Sequence, residues 1–105
     1  MNKRELVQAR DYIAYASVYY RALKKRGERL PYPLMMDDVF TSLKNGDIDS
    51  VCVKISEIRV DIMWEYSIEI LNKNFIGNPS LVYYTNKYLE MLNRAYYHLG
   101  QARRS

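Results

Sequence analysis

Residues 47–73, DIDSVCVKISEIRVDIMWEYSIEILNK, hold no glycine, no proline and no turn signal, and their reading decides the fold. From Val60 to Ile70 the apolar residues alternate strictly (Val60, Ile62, Trp64, Tyr66, Ile68, Ile70), which is the period of a half-buried strand. The charges obey a different rule. Lys54, Glu57, Asp61, Glu65 and Glu69 share one arc of about 120° when the chain turns by about 100° per residue. One continuous helix accounts for the whole stretch, whereas a strand needs a change of parity between Ile55 and Ile58 that no residue there produces. The fold is therefore predicted to be all-α, and the alternative of an α+β fold with residues 51–70 as strands is set aside.

Valine and isoleucine lower the helix propensity of this stretch and leave most of its circumference apolar. Such a helix is expected to be surrounded, forming the central rod of a small bundle with the acidic stripe as its one wet face. Working outward, the first helix is predicted over about Lys3 to Arg26, where Leu6, Ala9, Ile13, Ala16, Tyr20 and Leu23 recur every three or four residues as a packing seam. Gly27 ends it after a basic last turn. Pro31 and Pro33 mark a connector. A short helix over about 34–44 follows, anchored by Val39, Phe40 and Leu43, and Asn45-Gly46 closes it, with Asp47 or Asp49 available to cap the next helix. After a turn at Asn74 to Asn78, Asn78-Pro79 starts a last helix running to about Gly100. Its core stripe is Leu81, Tyr84, Tyr88, Leu92, Ala95 and Leu99, with Leu89 and Tyr96 beside it. The expectation is one domain over residues 1–105, an up-down bundle of three long helices and one short one, with 101–105 a frayed tail.

Composition narrows the function classes. A single cysteine, Cys52, excludes an internal disulfide and a multi-thiolate zinc site, and points to a reducing, cytoplasmic setting. No apolar run approaches the roughly 20 residues of a membrane span, and the N-terminus is charged where a signal peptide is apolar. Eleven tyrosines against two phenylalanines suit half-buried seams and interfaces. The net charge of +4 is uneven: residues 1–30 carry eight Lys/Arg and three acids, residues 31–78 four and eight, and residues 79–105 four and one. Basic flanks enclose an acidic middle.

A short connection makes the third and fourth helices antiparallel neighbours, and the longer connector through the second helix lets the third run antiparallel to the first as well, so the C-terminal ends of helices 1 and 4 are expected to meet. That geometry gathers Arg21, Lys24, Lys25, Arg26 and Arg29 with Arg103 and Arg104 into a basic pole suited to nucleic-acid backbone, with Asp37, Asp38, Asp47 and Asp49 near enough to neutralise part of it. A partner-binding role is expected for Tyr12, Tyr15 and Tyr19 on helix 1. Tyr83, Lys87, Arg94 and Tyr97, with Glu90, form a second such face on helix 4, where aromatics interleave with cations. The acidic stripe has no histidine three residues after any member, so no metal and no cofactor is expected there. His98 is the only histidine. Arg94, one helical turn before it, makes a pair that resembles the Arg and His of HEPN-type ribonucleases, but only three residues separate the two, fewer than in that family, and no catalytic role is carried over. A helix-turn-helix through Asn45-Gly46 would offer DNA an acidic recognition helix. The expectation is a non-catalytic subunit or adaptor of a nucleoprotein assembly, touching nucleic acid without sequence specificity and docking protein partners through tyrosine faces. A pure protein–protein module, including a homodimer, and a small DNA-binding regulator are the alternatives; no membrane or small-molecule substrate is inferred.

Overall fold

The computed structural model describes residues 2–26, 36–71 and 79–104, with the side chains of 26, 64–71 and 81 excepted. The connector at Pro31 and Pro33, the turn at Asn74 to Asn78, and Arg29 lie outside the described residues. Four helices make up the described chain: α1 (Lys3–Arg26), α2 (Met36–Lys44), α3 (Ile48–Leu71) and α4 (Pro79–Arg104). No strand occurs among the described residues, so the α+β alternative for 51–70 falls. None of these helices is long and apolar enough to cross a membrane.

Local chemistry sets the helix ends. Asn2 caps α1, its Oδ1 accepting the amides of Arg4 and Glu5 at 3.0 and 3.3 Å. At the end of α2 the Gly46 amide donates to the Leu43 carbonyl and the Asp47 amide to the Ser42 carbonyl, at 3.1 and 3.0 Å. This paired closure needs a left-handed residue, and Gly46 supplies it at φ 73°. Of the two capping candidates for α3 it is Asp47 that acts: its Oδ1 accepts the Ser50 amide at 3.1 Å and its Oδ2 the Ser50 hydroxyl at 2.7 Å. Those two bonds, the hydroxyl first, hold the Asp47 carboxyl below its ordinary value.

The core is one cluster. From α1 it takes Ala9, Ile13, Ala16, Tyr20 and Leu23; from α2, Met36 and Val39; from α3, Val51, Cys52, Ile55, Ile58 and Ile62; from α4, Tyr88, Leu92, Ala95 and Leu99. The α1 seam is the one its three-four spacing predicts, with Leu6 packed at its edge. The closest and longest interface joins α1 to α4. Ring pairs fix its direction: Tyr12 stacks on His98 at 5.5 Å, and Tyr19 lies beside Tyr84 at 6.3 Å, so α1 and α4 are antiparallel. On the other flank of α4, Arg59 bonds Asn93 and Arg103 bonds Asp49, so α3 is antiparallel to α4 as well.

Three expectations are thereby corrected. First, α3 runs parallel to α1, not antiparallel, and the C-terminal ends of α1 and α4 point to opposite ends of the molecule. Second, the most extensively packed helix is α4, not α3: α4 makes the long interface with α1 and a second one with α3, whereas α3 makes only smaller interfaces, with α4 and with α2. Small residues favour this, because Ala9 and Ala16 on α1 and Ala95 on α4 are all fully buried in the core cluster, and short side chains let helix axes approach closely. The buried stripe of α3 has no alanine. Its outer side is not only acidic, since Val53, Val60 and Met63 are 56, 63 and 54% exposed. Third, α4 continues through Gly100 to Arg104, because Ala102 is fully buried and extends the core stripe by one more turn.

Candidate interaction surfaces

The antiparallel α1–α4 pair separates the residues expected to form a basic pole. Lys24 and Lys25 end α1 beyond Tyr19 and its neighbour Tyr84, whereas Arg103 stands nineteen residues along α4 from Tyr84. At a rise of 1.5 Å per residue these groups are at least about 28 Å apart. Lys24 sits over the Tyr20 ring at 5.7 Å, and Arg103 pairs with Asp49 at 3.1 Å. The Arg103 guanidinium is raised above its ordinary value by a hydrogen bond to Cys52 first and by Asp49 after it, which leaves it charged throughout the working pH range. Arg21 and Arg104 are exposed at opposite ends, and the side chain of Arg26 and all of Arg29 lie outside the described residues. Among the described residues the basic groups of α1 and α4 do not form a single pole.

Along the α1–α4 seam a polar row replaces it. Glu5, in the first turn of α1, meets His98 Nδ1 at 2.5 Å, with the two side chains 26 and 20% exposed. Tyr12 stacks on the face of that imidazole, and Tyr97 meets it edge-on at 5.2 Å. Arg94 lies over the Tyr12 ring at 5.7 Å, donates to its hydroxyl at 3.5 Å and pairs with Glu90 at 3.7 Å. The Arg94 guanidinium is raised above its ordinary value, by Tyr12 foremost. His98 and Arg94 are thus both occupied by α1 and by their own helix, which is the geometry of an interhelical clamp. Among the described residues no group of three His, Cys, Asp or Glu converges on a point that could hold a metal ion.

The tyrosine faces divide in the same way. Tyr12 and Tyr19 are half-buried against α4, so they belong to the fold, whereas Tyr15 is 58% exposed and meets the Tyr12 ring edge-on at 6.2 Å. On α4, Tyr83 and Tyr97 are exposed as expected, and Lys87 and Arg94 both pair with Glu90 between them. In the acidic stripe Glu57 is exposed and Asp61 half-buried; the side chains of Glu65 and Glu69 lie outside the described residues.

Sequence reasoning missed the outward valines: Val7 and Val18 on α1, and Val53 and Val60 on α3. A signal existed. Val53 and Val60 are seven residues apart and stand across the helix from Ile55 and Ile62, so both pairs cannot face one core. No protein-family description, curated protein or solved structure matches this chain.

Proposed function

We propose that the chain is a non-catalytic protein–protein interaction module whose docking surfaces are the outer faces of α1 and α3. The observation that supports this most directly is the exposure, by more than half, of Val7, Val18, Val53, Val60 and Met63 on two continuous helix faces. Single exposed apolar side chains are ordinary, but several aligned on one helix and bordered by charge form the apolar core and polar rim of an interface. His98, the only histidine in the sequence, is engaged by Glu5 and covered by Tyr12, which favours a structural role over a catalytic one.

The test is a photo-crosslinking amino acid at Val18 or at Val60 in native extract. Adducts to protein at both positions, absent when the probe is moved to the buried Leu99, are the expected result. Exclusive crosslinking to nucleic acid sinks the reading. One feature favours nucleic acid as a second reading: Lys3, Arg4, Arg10, Arg21 and Lys25 lie exposed along α1, a cationic row suited to a phosphate backbone. In that case a fluorescent single strand should bind at low salt and dissociate steeply as salt rises.

A further inference from the structure

The two valine faces carry opposite charge. On α1, Val7, Ala14 and Val18 share an exposed arc with Lys3, Arg10, Arg21 and Lys25, and Asp11 is the one acid there. On α3, Val53, Val60 and Met63 share theirs with Asp49 and Glu57, and Asp61 borders it. Of the cations among the described α3 side chains, Arg59 is turned onto Tyr96 and Asn93 of α4, and Lys54 stands at the margin. The patches also match in length, since Val7 to Val18 and Val53 to Met63 each extend about 15 Å at the helical rise.

Neither face complements itself, because two copies of the α1 face bring cation to cation. Each face complements the other. We propose that the cationic valine face of α1 in one copy docks on the acidic valine face of α3 in the next, joining copies of this chain head to tail. This rests on the protein-docking reading above and names the partner. Because α1 and α3 flank α4 on different sides, one molecule can use both faces at once. The contact is heterologous, so it propagates to open or ring-shaped oligomers and does not stop at a two-fold dimer. Opposed charge around an apolar centre makes the association stronger at low ionic strength.

Sedimentation velocity over a concentration series tests this. At low salt the weight-average mass should rise to at least twice the 12.5 kDa of the chain and fall again as salt is added. The pair Arg10→Glu/Arg21→Glu and the pair Glu57→Arg/Asp61→Arg should each abolish the rise. An equimolar mixture of the two should restore it, because each variant then presents to the other the charge it lacks for itself. Should either charge variant lose its helical circular dichroism, Val18→Ser and Val60→Ser at exposed positions carry the same test, each lowering the mass reached at a given concentration. A chain that stays monomeric at low salt overturns the proposal, and so does association that survives both charge variants. Protein adducts at Val18 and Val60 on a strictly monomeric chain would leave the docking reading standing and remove only the self-association.

Discussion

α1 and α3 are equally long, twenty-four residues each, yet they bury themselves differently. α1 is the more polar by sequence and makes the longest interface in the molecule; α3 is dominated by valine and isoleucine and leaves Val53, Val60 and Met63 in solvent. Apolar content therefore does not rank helices by centrality. What ranks them here is the narrow seam, where alanine at Ala9 and Ala16 admits the facing helix and a ring or branched side chain fills the next gap. A helix apolar around much of its circumference but lacking such small residues is held on one stripe and leaves further valines exposed.

The sharpest way to break this comparison is to truncate matched aliphatic side chains on the two helices. Ile13→Ala removes a fully buried side chain from the α1 seam and should cost about 2–5 kcal/mol in urea denaturation, through lost transfer free energy and the cavity left behind. Val60→Ala, at a position 63% exposed, should change stability by no more than about 0.5 kcal/mol at concentrations where the chain is monomeric. Equal losses at both positions would mean that α3 is enclosed in the folded chain after all.

A smaller effect separates the two flanks of α4. Glu5 and His98 are mostly shielded from water and pinned by Tyr12, so a double-mutant cycle with Glu5→Gln and His98→Gln should return a coupling of about 1 kcal/mol. Asp49 and Arg103 on the α3 flank are largely exposed, and the corresponding cycle should give a coupling too small to resolve. A stronger coupling on the α3 flank would reverse the ranking of the two interfaces.

Much of this architecture is legible in the sequence. The three-four spacing on α1 identifies its seam, because a regular helix against one neighbour repeats with that period. Asn45-Gly46-Asp47 marks a stop and a start because only a left-handed residue closes α2, and an acceptor must follow it. The pairing of helices was not legible. Nothing in a local pattern says whether a long connector returns the chain on the same side or the opposite side of a bundle, and the basic pole built on that choice fell with it. The Glu5–His98 contact joins residues 93 positions apart and has no local signature. The outward valines were misassigned because a continuous apolar circumference was equated with a central position, when one buried stripe was all the fold required.

The least effect expected concerns how the two helices begin. α1 is capped by Asn2 and α3 by Asp47, so the same backbone chemistry uses a neutral acceptor in one case and a titratable one in the other. Because the Ser50 hydroxyl and then its amide depress the Asp47 value in the folded chain, the unfolded chain binds the proton more tightly. The associated stability is present above the ordinary value of 3.8 and is lost as pH falls through the lower folded value. Asp47→Asn keeps a capping oxygen and discards the charge. At neutral pH its thermal midpoint should lie slightly below that of the parent chain, and the gap should close as pH drops below 3.8, whereas the gap for Asn2→Ala should stay constant. An Asp47→Asn gap of the same size at neutral and acid pH would mean that the start of α3 is held by its packing on α2 and α4, as α1 is held by its seam, and not by the charge on its cap.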